Sequence, residues 1–139
     1  MNAQSHAGAV ILCLDDQATA LELEIRKRLL ETAGYAVLAT TRPHEALKMF
    51  RDNRVNLVLA EQISSKLGGS FTVAAMKSLK ADLPIAIYSA DWEPSPEHMR
   101  FADAFITKLV SASELLSTIE GLLVATMPLD SPSSGATHI

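Results

Sequence analysis

Val10-Ile11-Leu12-Cys13-Leu14-Asp15-Asp16 and Leu57-Val58-Leu59-Ala60-Glu61 are two apolar runs that each stop at carboxylates. Both have the length of a strand, and their unbroken apolarity suits strands covered on both faces. If they are neighbouring parallel strands, three acids converge on one end of a sheet. Like charges about 4 Å apart repel by roughly 4 kcal/mol at an effective dielectric near 20. Such a cluster calls for a cation, either a divalent metal ion or a lysine.

The rest of the chain repeats the alternation. Position 10 opens the first strand, and a helix follows with Ala18, Leu21, Ile25 and Leu29 as its expected inner stripe. Glu22, Glu24, Arg26 and Lys27 fall mostly off that stripe. Gly34 is a C-terminal stop. A second strand is predicted over 35–40, and Pro43 then opens a helix with Ala46, Leu47 and Phe50 inward. The third strand is predicted over 55–60. Gly68-Gly69 precedes a third helix carrying Ala75, Met76 and Leu79. The fourth strand is predicted over 84–89, with proline at its first position. Ser95-Pro96-Glu97 starts a short, irregular fourth helix, and 104–107 forms the fifth strand. Ser111 and Glu114 make a capping box for a last helix, with Leu115, Ile119, Leu122 and Leu123 inward. Residues 1–7 and 127–139 show no pattern and are expected to be disordered around one domain over 8–126.

Five strand–helix pairs predict an α/β fold, a doubly wound parallel sheet with helices on both faces. Sites in such folds lie beyond the carboxyl ends of the strands. Asp15, Asp16, Glu61, Ser89 and Lys108 all fall at or just after strand ends.

Bulk properties narrow the function. The chain has 139 residues, 48% hydrophobic and 20% charged, with formal charge −4. That is one ordinary compact domain, with no basic face for nucleic acid. The single cysteine, Cys13, cannot form an internal disulfide, which suits a reducing cytoplasm. The start of the chain lacks the pattern of a secretion signal, and no apolar run is long enough to span a membrane. His6, His44, His98 and His138 have no metal-ligand spacing and read as surface residues.

The ordered set of strand-end residues resembles the receiver domain of two-component response regulators, from about residue 8 to residue 125. The acidic pair Asp15-Asp16 matches, as do Gly69 eight positions after Glu61, Ser89-Ala90 after strand four, and Phe105 three residues before Lys108. The resemblance implies a flavodoxin-like (βα)5 fold with strand order 2-1-3-4-5. It implies Mg²⁺ held weakly or not at all by Asp15, Asp16, Glu61 and the main-chain carbonyl of Ile63. By the same resemblance Glu61 takes the phosphoacceptor position, Ser89 is the hydroxyl that moves toward a phosphoryl oxygen, Lys108 is the pocket lysine and Phe105 the switch aromatic.

The departures are specific. The family's phosphoacceptor is aspartate, whereas Glu61 carries its carboxylate about 1.5 Å further out. Phosphoryl transfer depends on positioning, and a misplacement of about 1 Å can cost on the order of 10²-fold. Glu61 is therefore expected to be a poor acceptor or none. Leu109 replaces the proline usual after the lysine, so a trans bond is expected there. Ser64-Ser65-Lys66 replaces the usual apolar-proline loop.

Several readings stay open. Asp15 and Asp16 either cap the first helix or bind metal. Glu61 is a structural acid paired with Lys108, an imitation of the phosphorylated state, or both. Phe105 is either core packing or a switch. For the whole chain, the leading expectation is a stand-alone signalling module that binds a histidine kinase or another signalling protein, with a homodimer also open. Any enzymatic activity would be vestigial. An active phosphoacceptor and an unrelated flavodoxin-like binding domain are the alternatives.

Overall fold

The computed structural model describes residues 6–16, 18–61, 69–90, 93, 94 and 96–127. Strands and helices alternate as β1 (Val10–Leu14), α1 (Ala20–Thr32), β2 (Ala36–Thr40), α2 (Pro43–Asp52), β3 (Leu57–Glu61), α3 (Gly69–Leu79), β4 (Ile85–Ser89), α4 (Pro96–Met99), β5 (Ala104–Thr107) and α5 (Ala112–Thr126). All pairings are parallel, in the order β2-β1-β3-β4-β5. This is the doubly wound arrangement that the alternation predicts.

The period-two alternation of the strands sorts the core into two layers. Ile11, Cys13, Leu57 and Leu59 pack with Leu23 and Leu30 of α1 and Leu115, Ile119 and Leu123 of α5. Leu12, Leu14, Val58 and Ala60 pack on the other face with Ala46 and Phe50 of α2 and Val73 and Met76 of α3. Burial in the first layer raises the pKa of Cys13 to about 12, which leaves the thiol unreactive. The capping box of Ser111 and Glu114 is present, and α4 is only four residues long, both as expected. The first-turn proline of α2 and the positive φ of Gly34 also match.

Local corrections follow. β3 starts at Leu57 and includes Glu61, β2 starts after Tyr35, and β4 starts after Pro84. The expected inner stripe of α1 holds in part: Ala18 and Leu29 pack against the core, but Leu21 and Ile25 are 69% and 58% exposed, and Leu23 and Leu30 are the buried leucines. Leu79, expected inside, is also exposed. Apolar residues occur on more than one face of these helices, so periodicity alone does not fix which of them face the core.

His6 is buried, not on the surface, with Nδ1 2.6 Å from Glu120 Oε2 and Nε2 2.7 Å from the carbonyl oxygen of Met127. Tyr35 donates its hydroxyl hydrogen to the other oxygen of Glu120 at 2.9 Å. Burial, first, and that bond both raise the pKa of Tyr35. His6 and Met127, assigned to disordered ends, thus form a clasp that joins the start of the chain to the end of α5. Residues 1–5 and 128–139 of those segments lie outside the described residues, as does the cap expected at Ser95.

Candidate functional site

β1 and β3 are neighbours, with Leu14 opposite Ala60, so their carboxyl ends stand side by side. Asp15 follows β1 directly and Glu61 ends β3. By strand alternation both continue the set facing α1 and α5. Asp15 is fully buried and Glu61 nearly so. Lys108 follows β5, and its backbone N–H donates to the carbonyl of Ser89 at 2.7 Å. That bond anchors the lysine beside the tip of β4. Its Nζ lies 2.8 Å from Asp15 Oδ2 and 2.6 Å from Glu61 Oε1. The contact with Asp15 is a directed hydrogen bond. The one with Glu61 is a charge pair, since no partner meets hydrogen-bond geometry at Glu61 Oε1.

A second cation enters from α1. Arg26 Nη1 lies 3.0 Å from Asp15 Oδ2, the same oxygen that Lys108 reaches. The ring of Tyr88 lies beneath both cations, 4.8 Å from the Arg26 guanidinium carbon and 5.7 Å from Lys108 Nζ. Cation–π contact of this kind is worth about 0.5–2 kcal/mol.

The electrostatics follow from this packing. Burial raises the pKa of Glu61; Lys108 pulls it back, and Asp15 pushes it further up. For Lys108, burial alone would lower the pKa, but the hydrogen bond to Asp15 and the charges of Asp15 and Glu61 outweigh it and raise it. The ammonium is thus held charged between two acids.

The expected site residues can now be placed. Asp15, Glu61 and Lys108 come together. Asp16 lies in the turn after β1, half-buried, and neither aspartate is the cap of α1: that is Thr19, in a capping box with Glu22. Capping therefore does not explain the acidic pair. Ser89 is buried at the end of β4. Phe105 is half-buried against the α2–α3 layer. The Lys108–Leu109 bond is trans, as expected. Ile63, Ser64, Ser65 and Lys66 lie outside the described residues. Among the described residues, no three His, Cys, Asp or Glu side chains gather closely enough to hold a metal ion.

Arg26 and Tyr88 are the members that sequence reasoning missed. The available signal was the spacing of Leu23, Arg26 and Leu30, which puts a cation on the stripe that α1 buries.

No protein-family model matches the chain. Response regulator MprA from Mycobacterium sp. (strain KMS) is 30% identical over 129 residues, which are 91% of this chain and 55% of that protein. The chain therefore spans about half the length of the curated relatives it matches first. Among solved structures, a CheY-like receiver domain protein from Methanospirillum hungatei JF-1 superposes with TM-score 0.75 at 25% identity, over 86% of this chain and 97% of that one. The response regulator TrrA from Thermotoga maritima, solved with Mg²⁺ and beryllium fluoride, matches in fold with TM-score 0.73 at 24% identity, over 82% and 98%. Among the described residues, no helix is long and apolar enough to cross a membrane. In sequence the chain is similar to response regulators, and in fold it matches their receiver domains.

Proposed function

We propose that this chain is a receiver-like signalling module of a two-component phosphorelay that acts by binding protein, with Glu61 in place of the phosphoacceptor aspartate. The observation that carries this reading is the Lys108 ammonium held between Asp15 and Glu61 at 2.8 and 2.6 Å. The longer glutamate side chain delivers a carboxylate to the lysine without any added phosphoryl group. Glu61 thus supplies permanently a negative charge that phosphorylation would otherwise bring. A carboxylate so engaged, and set about 1.5 Å further out than an aspartate's, is a poor nucleophile for a phosphoryl group.

The partner class is a histidine kinase or another signalling protein, with a second copy of the chain as the alternative occupant. Leu21 and Ile25, one turn apart on the outside of α1, give such a partner apolar surface. Ser89 and Phe105 keep the positions of the switch pair but have no phosphoryl group to answer.

The test is incubation with a small phosphodonor and Mg²⁺, followed by intact mass spectrometry. The unmodified mass is expected. A stoichiometric phosphate adduct would overturn the reading and favour a working phosphoacceptor.

A further inference from the structure

α1 turns Leu23, Arg26 and Leu30 toward the sheet, at spacings of three and four. The two leucines belong to the core, and the Arg26 side chain between them is only 11% exposed. A guanidinium so placed is expensive unless it is paired. Its pair is Asp15, whose side chain is fully buried, and its face is covered by Tyr88. Arginine suits this place: its charge is permanent, it stacks on aromatic rings, and it is more weakly hydrated than lysine.

We infer that Arg26 is a resident counter-cation that takes the place of a divalent metal in this pocket. The inference rests on the reading of the pocket as a degenerate receiver site, and it names what closes that site. Asp15 and Glu61 against Lys108 alone leave a formal charge of −1 for a bound cation to neutralise. With the guanidinium counted, the two carboxylates and two cations balance. The donor set fits the ion poorly as well. Mg²⁺ needs carboxylate oxygens within a near-octahedral shell that retains several waters. Asp15 Oδ2 already receives a guanidinium at 3.0 Å and an ammonium at 2.8 Å, so a dication there would meet two positive neighbours. The residues present do not fit Mg²⁺, and Arg26 is the reason.

Metal alone tests this, with no phosphodonor present. Thermal unfolding is followed in millimolar MgCl2 and in NaCl of equal ionic strength, and binding is measured with Mn²⁺ by electron paramagnetic resonance. The unaltered protein and Glu61→Asp, which shortens the acid but keeps Arg26, are expected to show no metal-specific shift and no bound Mn²⁺. Arg26→Met, which removes the charge and keeps much of the bulk, is expected to gain affinity on the order of tenfold or more. Metal binding by the unaltered protein as tight as by Arg26→Met overturns the inference, and so does a folded Arg26→Met that stays blind to metal. If Arg26→Met does not fold, the Mn²⁺ measurement on the unaltered protein decides: bound metal at millimolar concentration overturns the inference, and none supports it. Metal binding would leave the protein-binding reading intact; only a phosphate adduct counts against that one.

Discussion

Replacing Lys108 with methionine is the sharpest probe of the pocket. Methionine keeps an unbranched stem of similar length over Tyr88 and removes only the ammonium. Two carboxylates lose a cation at once. Asp15, fully buried, keeps Arg26 at 3.0 Å; Glu61 loses the cation 2.6 Å from its Oε1. Removing one partner of a buried ion pair costs about 3–5 kcal/mol, because the other charge stays behind in a poor solvent. The Lys108 side chain is 23% exposed and Arg26 remains, so a cost below that range applies, about 2–3 kcal/mol. In urea at neutral pH that is a fall in midpoint of roughly 1–2 M. The second half of the experiment adds Glu61→Gln. Alone, this change costs little, since burial of Glu61 outweighs its attraction to Lys108. In the methionine background it removes the stranded charge and recovers on the order of 1–2 kcal/mol. A Lys108→Met protein within about 0.5 kcal/mol of the original would refute the reasoning, because it would show the ammonium to be an ordinary surface charge.

Two further expectations follow from the same geometry. Glu61 has a folded-state pKa raised above its ordinary 4.5, so its contribution to stability is fully present below that value and is lost as pH rises through the folded one. The stability of the protein relative to Glu61→Gln should therefore decline from about pH 4.5 upward in a urea series, and a difference that stays flat with pH would contradict the assignment. At the other end of the molecule, His6→Ala removes the imidazole that joins Glu120 to Met127. The expected loss is about 1.5–3 kcal/mol, with faster hydrogen exchange at the Met127 amide that ends α5. An unchanged urea midpoint together with unchanged exchange would rule out the clasp.

The carboxylate–lysine cluster was legible in the sequence for a physical reason. Parallel strands joined by helices all point their carboxyl ends the same way, so residues that follow apolar runs must meet at one edge. That logic needs no side-chain detail, and it placed Asp15, Glu61 and Lys108 together. The inner face of α1 was legible only in part: Leu29 packs inward as expected, but Leu21 and Ile25 do not. Leu21 and Ile25 satisfy helical spacing as well as Leu23 and Leu30 do, and the choice is made by what each face meets in three dimensions. Arg26 faces inward because Asp15 and Tyr88 wait there, and periodicity counts a charged residue as outward. His6 failed for a similar reason. A lone histidine in a polar leader carries no pattern, and its partners Glu120 and Met127 lie at the far end of the chain.

Arg26 also changes what the fold demands of its own acids. A doubly wound sheet brings carboxylates to the tips of β1 and β3, and they must be neutralised before the chain can hold them there. A bound ion meets that demand reversibly and leaves a ligand position open, so the pocket can respond to what it binds. A side chain meets it permanently and leaves nothing to exchange. Here Arg26 and Lys108 both converge on Asp15 Oδ2, and Glu61 extends to the lysine, so side chains of the chain itself neutralise the tips. In such a pocket the charge pattern is fixed at folding. The free energy available to a change of state must then come from contacts made elsewhere on the molecule, because a ligand can shift an equilibrium only by its differential affinity for the two states. The exposed Leu21–Ile25 turn lies on the same helix as Arg26, one residue before it at Ile25. On the proposed reading, a protein that grips that turn would bear on the helix that brings Arg26 to Asp15.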